Sequence, residues 1–160
     1  MIPEVESQFH HTSLLSDEER ALWRRFVETH VAILRRLDDE LRVQNGLTLS
    51  SFEVLYELIR APGNRMRMAE LADRLLFTRS GVTRLVNRLE HQGFVERNDC
   101  ADDGRGVYAI ITKQGFETFE AAAVPHIDAV RSLFFERLDG WDDVLHKILV
   151  QLELDRAPTV

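Results

Sequence analysis

Two short amphipathic helices with a tight turn between them constrain the fold of this chain more than any other feature of its sequence. The apolar residues of the first helix recur at three- and four-residue spacing: Met68, Leu71, Ala72 and Leu75. Only Leu76 and Phe77 separate that helix from Thr78, whose hydroxyl can cap the next one. Gly93 then ends the second helix, because glycine readily takes the left-handed conformation that follows helix C-termini. The sequence therefore predicts a helix-turn-helix.

The second helix, placed on a helical wheel over residues 79–92, has one apolar face and one cationic face. Its apolar stripe consists of Val82, Leu85, Val86 and Leu89. The opposite face carries Ser80, Thr83, Arg84, Asn87 and His91, with Arg79 and Arg88 at its flanks. These seven positions carry no acidic residue, whereas solvated helix faces usually mix charges of both signs. Arginine, asparagine and hydroxyl side chains can pair with base edges in the major groove, so the pattern favours DNA contact.

The cationic face contrasts with the charge of the whole chain. The 160 residues contain 20 Lys and Arg against 27 Asp and Glu, which gives a net charge of −7. Residues 65–113 contain nine Lys and Arg against seven Asp and Glu, or +2, and the remainder therefore carries 11 − 20 = −9. The distribution predicts a basic surface on a body that otherwise repels polyanions.

Long apolar helices are expected before this segment. Residues 16–19 have the S-x-x-E form of a capping box, and apolar residues then recur at helical spacing as far as Asn45 and Gly46. At about 1.5 Å per residue this helix would be about 45 Å long. Another helix is predicted from Thr48 to the turn at residues 61–64.

A β-hairpin and two further helices are expected after it. Residues 94–97 and Val107–Ile111 have strand-like composition and flank a polar segment. Thr112 begins a helix that Pro125 should kink, because proline lacks the amide that the preceding turn requires. The last helix, after Gly140, carries one apolar stripe: Trp141, Val144, Leu145, Ile148, Leu149 and Leu152.

Several classes of function find no support. The chain has no glycine-rich phosphate loop, nucleophile elbow or spaced series of metal ligands, so we expect no enzyme, cofactor or metal. Metal binding by histidines from two subunits stays open as an alternative. The single cysteine, Cys100, cannot form an internal disulfide. No apolar run reaches the roughly 20 residues that a bilayer helix needs, and the N-terminus lacks a secretion signal. We therefore expect a cytoplasmic protein without a membrane partner.

Five short motifs follow one another in a fixed order. They are Met68-Ala69-Glu70-Leu71-Ala72, Val82-Thr83-Arg84-Leu85-Val86 with Leu89-Glu90, Gly93-Phe94-Val95-Glu96-Arg97, Asp103-x-Arg105 and Thr112-x-x-Gly115. In this order they resemble the MarR family of bacterial winged-helix transcriptional regulators, and the helices on both sides extend the likeness over nearly the whole chain. Gly104 departs from the family pattern, which often has a basic residue between the wing acid and the arginine.

The resemblance implies a mainly α fold with a small β-hairpin wing (α+β), in a single domain over residues 1–160. Residues 48–115 would form the winged helix-turn-helix lobe, and residues 14–46 and 116–155 would interleave as dimerisation helices. The resemblance gives the major-groove role to Ser80, Thr83, Arg84, Asn87 and Arg88. Arg79, at the flank of the cationic face, is expected with them among the contacts to the major groove and the flanking phosphate.

The wing is expected to contribute one residue to DNA binding. The resemblance gives the minor-groove role to Arg105, and the sequence places Asp103 where it can brace the loop while the arginine reaches the focused negative potential of that groove. The alternative is that Arg105 merely pairs with Asp103 within the loop.

The resemblance also implies an obligate homodimer. The apolar surface of the terminal helices agrees, since it exceeds what a small lobe can cover. The two recognition helices of a two-fold dimer lie about one DNA turn apart, so the binding site should be an imperfect palindrome.

Members of the family often bind a small aromatic or phenolic ligand and then release DNA. Such a ligand could be held by Trp23, His30, Phe52 and Tyr56. The alternative is that these aromatic side chains only pack in the core.

We therefore expect a homodimeric, sequence-specific regulator of transcription that binds double-stranded DNA as a repressor, with release by a small aromatic ligand as an option. The alternative is a winged-helix module that binds another protein, which the net charge of −7 would suit. The two differ in salt dependence, because binding to DNA weakens steeply as ionic strength rises.

Overall fold

The computed structural model describes residues 15–75, 77–99 and 106–152. The chain divides into two compact units, one of residues 1–32 and the other of residues 33–160. None of the described helices combines the length and the hydrophobicity needed to cross a bilayer.

The N-terminal helix, α1 (Asp17–Asn45), begins and ends where the sequence predicts. The Ser16 amide donates to Glu19 Oε2 at 2.6 Å, and the Glu19 amide donates to Ser16 Oγ at 3.1 Å, which completes the capping box. These bonds lower the pKa of the Glu19 carboxyl. Gly46 follows the helix with a φ of 68°, the left-handed conformation expected of a glycine stop.

Polar contacts join the end of α1 to the start of α2 (Leu49–Arg60), whose first turn Thr48 caps with its hydroxyl. Asp38 accepts a hydrogen bond from the Leu49 amide at 2.7 Å and another from Arg42 Nε at 2.5 Å. Partial burial of Asp38 favours its neutral form, but the bonds from Arg42 and Leu49 outweigh this effect, so the pKa of Asp38 lies below its ordinary value.

The sheet has one strand more than the predicted hairpin. Strands β1 (Arg65–Arg67), β2 (Val95–Asp99) and β3 (Val107–Ile111) are antiparallel and lie in the order β1-β3-β2. Met66 of β1 pairs with Ala109 of β3, and both residues are buried. The expectation of a two-stranded hairpin was incomplete, because three residues of sequence Arg-Met-Arg are too short to show a period.

Helices α3 (Met68–Leu75) and α4 (Arg79–His91) form the predicted helix-turn-helix. Thr78 Oγ1 accepts a hydrogen bond from the Gly81 amide at 3.1 Å, as expected of an N-cap. Apolar side chains of α2, α3, α4 and the sheet meet in one core. Its most deeply buried members include Val54, Leu55, Leu58, Met66, Leu71, Val82, Val86, Leu89, Val95 and Ala109.

The start of α5 (Lys113–Val130) is fixed against the turn that follows α4. The Thr112 amide donates to the Phe94 carbonyl oxygen at 3.0 Å. The Thr112 hydroxyl donates to the Gly93 carbonyl oxygen at 2.6 Å and accepts from the Gly115 amide at 3.0 Å. A Cβ atom on Gly115 would overlap the Phe94 carbonyl oxygen. This close approach explains why a glycine stands three residues after the capping threonine.

The C-terminal helices differ in detail from the prediction. Helix α5 continues through Pro125, where the kink stays a prediction, and a π-helical turn that we did not predict follows at Arg131–Phe135. A short helix, α6 (Glu136–Leu138), follows this turn. Gly140, with a φ of 85°, leads into the last helix, α7 (Asp142–Gln151).

Replacing Gly115 by alanine should destabilise the protein, because the new methyl group would overlap the Phe94 carbonyl oxygen. Overpacking of this kind costs roughly 1–3 kcal/mol. Urea unfolding at one protein concentration measures the loss. The control is Lys113→Ala, a change at an exposed position of the same helical turn, which should alter the free energy of unfolding by less than about 0.5 kcal/mol. Equal stability of the Gly115→Ala variant and the wild type would contradict the assigned close approach.

Candidate DNA-binding surface

Helix α4 turns its cationic face away from the core. Its four apolar residues are buried: Val82, Leu85, Val86 and Leu89. Five of the six residues predicted to contact DNA through this helix are exposed: Arg79, Ser80, Thr83, Arg84 and Arg88. The helix therefore has the orientation that its periodicity predicts, and the contact with DNA stays a prediction.

The hydroxyl of Thr83 is already engaged as a donor. Thr83 Oγ1 donates to the carbonyl oxygen of Arg79 at 2.9 Å, within the same helix. In this rotamer the hydroxyl can offer an incoming group only its lone pairs. Such an acceptor suits the exocyclic amino group of adenine or cytosine in the major groove.

Asn87 is the least accessible of the six residues. It is half-buried, and its Oδ1 atom is shielded from solvent without a hydrogen-bond partner in the described part of the chain. A shielded carbonyl oxygen without a partner costs about 1–3 kcal/mol. The exposed arginines on either side of it, Arg84 and Arg88, are better placed to reach a partner.

A cleft lies on each side of α4. The cleft on the side of the sheet has a volume of about 470 Å³ and is lined in part by Arg67, Arg79 and Arg97. The cleft on the side of α1 and α2 has a volume of about 630 Å³ and is lined in part by Arg84 and Arg88. The outer face of α4 is thus a cationic ridge with a groove along either flank.

Arg97 of β2 is a residue of this surface that the sequence did not reveal as functional. Its Nη2 atom donates to the Thr83 carbonyl oxygen at 3.2 Å, and its Nη1 atom lies 3.3 Å from Glu90 Oε2. Arg97 belongs to one of the five motifs, but its contact with α4 is a tertiary contact, which no pattern of neighbouring residues in the sequence predicts.

The wing residues predicted to reach the minor groove, Arg105 and Asp103, lie outside the described residues. The described part of the hairpin extends to the pair formed by Asp99 of β2 and Val107 of β3. The roles of Arg105 and Asp103 stay predictions.

An aromatic cavity of about 350 Å³ lies between α2 and α5. Phe52 and Tyr56 of α2 line it, as do Phe119 and His126 of α5 and Arg131 of the π-helical turn. The rings of Phe52 and Phe119 stack with centroids 4.7 Å apart, and the His126 ring lies 4.5 Å from that of Phe52. The cavity thus combines stacked apolar rings with an imidazole and a guanidinium.

Two of the four residues predicted for a ligand pocket belong to this cavity, namely Phe52 and Tyr56. The other two, Trp23 and His30, belong to the N-terminal unit, where each packs against the ring of Phe26 at centroid distances of 5.7 and 6.2 Å. A ligand site shared by all four residues stays a prediction.

Burial lowers the pKa of His126 below its ordinary value, and the carboxylate of Glu40 opposes this effect only in part. The Nδ1 atom of His126 is shielded from solvent and has no hydrogen-bond partner in the part of the chain that the structure describes. The neutral imidazole is therefore the favoured form in the folded protein.

Known proteins with a similar fold decide the family. A sequence model of the MarR family matches residues 45–106, which hold the helix-turn-helix and the first two strands. The structure is similar to that of Sco3205 from Streptomyces coelicolor, a MarR family transcriptional regulator solved in complex with DNA, with a TM-score of 0.80 and 32% sequence identity. The similarity covers 94% of this chain and 97% of Sco3205. The chain belongs to the MarR family.

This membership confirms the predicted fold class, a mainly helical winged helix, and it places the chain among transcriptional regulators and not among enzymes. Two curated relatives match a smaller part of this chain than Sco3205 does. PrsX of Escherichia coli is 33% identical over 70 residues, which make up 44% of this chain and 42% of PrsX. The repressor YetL of Bacillus subtilis is 28% identical over 107 residues, 67% of this chain and 64% of YetL.

The depressed pKa of His126 predicts a pH effect on this MarR protein. Just below the ordinary histidine value of 6.5 the unfolded chain binds more protons than the folded one, so the free energy of unfolding should decrease as the pH falls through this window. His126→Phe should flatten this dependence, measured by urea unfolding between pH 7.5 and about 5. Phe119→Leu is the control, because it alters the same cavity without removing a titrating group. An equal pH dependence in the His126→Phe variant would contradict the burial of the neutral imidazole.

Proposed function

We propose that this MarR family protein is a sequence-specific, double-stranded DNA-binding regulator that acts as a homodimeric repressor on a pseudo-palindromic operator. The observation that carries the proposal is the outer face of α4, where Arg79, Arg84 and Arg88 stand exposed in a winged-helix lobe. Paired guanidinium donors can read guanine in the major groove, or bind phosphate beside it.

The charge distribution supports DNA as the partner. The single acidic residue of α4, Glu90, is paired with Arg97, and two further arginines, Arg67 and Arg97, line the cleft on the side of the sheet. The chain as a whole carries −7, so a polyanion would be attracted to this surface and repelled elsewhere. That field would orient the protein with α4 toward the duplex.

The apolar faces of the terminal helices support a homodimer. Helix α7 leaves Val144, Ile148 and Leu149 between 44% and 46% exposed, and Trp141 before it is 65% exposed. In the N-terminal unit Trp23 is 61% exposed. Contiguous apolar surface on a water-soluble body usually marks a protein interface, and a second copy of the chain is the commonest partner. The dimerisation helices would be those of residues 14–46 and 116–155.

The aromatic cavity between α2 and α5 supports control by a small aromatic or phenolic ligand. Its volume of about 350 Å³ lies near the lower end of the usual range for ligand pockets, and its stacked rings suit an aromatic guest. The guest would touch Phe119 of α5, and the start of α5 is hydrogen-bonded to Gly93 and Phe94 after α4. A ligand that moved α5 would therefore change the position of the DNA-binding helix.

The repressing direction is supported by one relative, YetL, which is a transcriptional repressor. A repressor of this kind would occupy an operator and exclude other proteins from it. The alternative, a winged-helix module that binds protein, leaves the three exposed arginines on the outer face of α4 without a use.

Selection of duplexes from random DNA should yield one sequence with two inverted half-sites about one helical turn apart. The logarithm of the affinity for that duplex should fall linearly with the logarithm of salt concentration, by about 0.9 per phosphate contacted. A selection without any shared sequence, or an affinity that salt does not change, would favour the protein-binding alternative.

Arg84→Ala should weaken binding to the selected duplex by about 1–3 kcal/mol and relax base preference at one position of each half-site. The control is Arg74→Ala, because Arg74 binds Glu57 and Glu70 on α2 and α3 and has no described contact with α4. The control should bind within about 0.5 kcal/mol of the wild type in fluorescence anisotropy titrations. An equal loss in both variants would show that Arg84 does not contact a base.

Ile148→Glu should convert the dimer into monomers, because it places a charge within the apolar face of α7. Gln151→Glu is the control, since it adds the same charge at a polar, exposed position of that helix. Sedimentation velocity should give twice the chain mass for the wild type and the control, and the single mass for Ile148→Glu. A wild-type protein of single-chain mass would contradict the homodimer.

A further inference from the structure

We propose that Arg97 is the positioning residue that holds the wing at a fixed distance from the DNA-binding helix α4. The inference rests on the proposed DNA-binding function and adds a role for a residue that would itself contact no DNA. The observation behind it is the bridge that this one side chain forms from β2 to two separate turns of α4.

The pleat of β2 directs Arg97 toward α4. Val95 and Arg97 share one face of the strand, because side chains alternate along a strand, and Val95 is buried in the core. Glu96 and Asn98, on the other face, are exposed. Arg97 therefore lies on the core-facing side of the strand, just beyond the buried residues of the core. Its side chain is only 27% exposed.

The guanidinium of Arg97 spans two turns of α4. It donates to the Thr83 carbonyl oxygen at 3.2 Å and pairs with Glu90 Oε2 at 3.3 Å. Thr83 and Glu90 stand seven residues apart, about two helical turns, so they lie on the same side of the helix. The planar guanidinium holds several donors in a rigid fork, which lets one side chain meet both groups. Such a bridge fixes both the distance and the direction of β2 relative to the helix axis.

Backbone hydrogen bonds to α4 hold only the base of the wing, and β1 pairs with β3 no farther out than Tyr108. The Phe94 amide donates to the Leu89 carbonyl oxygen at 2.9 Å and the Gly93 amide to the Glu90 carbonyl oxygen at 2.9 Å, both at the turn that ends α4. Farther out, the cleft of about 470 Å³ separates α4 from the hairpin, and Arg97 lines it. Among the described side chains, Arg97 is the one through which β2 hydrogen-bonds to α4.

The position of the bridge has a consequence for DNA binding. In the proposed complex Arg84 of α4 would read the major groove, and Arg105, the residue predicted for the wing, would reach the adjacent minor groove. The two grooves lie at a set spacing on the duplex, so both contacts form together only if the hairpin stands at a set distance from α4. Without Arg97 the hairpin would be held to α4 at its base alone, with β1 supporting β3 only as far as Tyr108. The minor-groove contact would then be lost while α4 still reads its bases.

A double-mutant cycle between Arg97 and Arg105 tests the proposal with the full chain and the selected duplex. Affinities are measured for the wild type, Arg97→Ala, Arg105→Ala and the double variant. Arg97→Lys and Glu90→Gln provide milder changes, since each removes part of the bridge at a half-exposed site. Arg74→Ala serves as the control, because Arg74 also joins two elements of the lobe but has no described hydrogen bond or ion pair to α4 or β2.

We expect Arg105→Ala to weaken binding about tenfold in the wild-type protein, and by less than about threefold in the Arg97→Ala protein, because coupled sites are not additive. The Arg74→Ala background should keep the full tenfold effect of about 1.4 kcal/mol. Hydroxyl-radical footprinting should show that the wild-type protein protects the flanking minor groove and that Arg97→Ala does not. Base preference within the half-sites should remain, and Arg97→Lys and Glu90→Gln should show intermediate footprints.

Equal effects of Arg105→Ala in both backgrounds would overturn the proposal, as would an unchanged minor-groove footprint in Arg97→Ala. An Arg105→Ala variant that binds like the wild type would also overturn it, because Arg97 would then have no wing contact to position. In each of these cases the proposed DNA-binding function would stand. Failure of the wild-type protein to prefer any duplex would instead overturn the proposed function itself, and this inference with it.

Discussion

The burial of one apolar stripe on α4 determines the rest of the DNA-binding surface. Val82, Leu85, Val86 and Leu89 are all buried, and each such side chain contributes about 1.5–3 kcal/mol. Any rotation of α4 about its axis would expose part of this stripe and bury arginines. The helix therefore has one stable orientation, and its cationic face is held outward by packing on the other side. A surface that must fit a rigid duplex needs a support of this kind, because loosely held side chains would lose entropy on binding.

The turn after α4 connects this surface to the rest of the molecule. Thr112 binds the Gly93 and Phe94 carbonyl oxygens, and Gly115 lets the first turn of α5 approach the backbone without a side chain between them. Strand β2 and helix α5 thus both begin next to the turn that ends α4. Because Phe119 of α5 lines the aromatic cavity, the first two turns of α5 join the wall of that cavity to the turn after α4.

The features that the sequence predicted are local, and those that it missed are not. The capping box at Ser16, the helix start at Thr48, the N-cap at Thr78 and the apolar stripe of α4 each depend on residues within two turns of one another. The strand β1 is too short to show a period and exists because it pairs with β3. The bridge from Arg97 to α4 and the contribution of Phe119 and His126 to the cavity arise from tertiary contacts. No spacing along the chain could have shown them.

Dimethyl sulfate protection on the selected duplex tests the central claim most directly, because this reagent methylates guanine N7 in the major groove. If the outer face of α4 lies in that groove, the wild-type protein should protect guanines in two blocks about one helical turn apart, and Arg84→Ala should lose protection at one guanine of each block. Guanine N7 atoms that stay fully reactive in a saturated complex would contradict the account, since α4 would then lie outside the major groove.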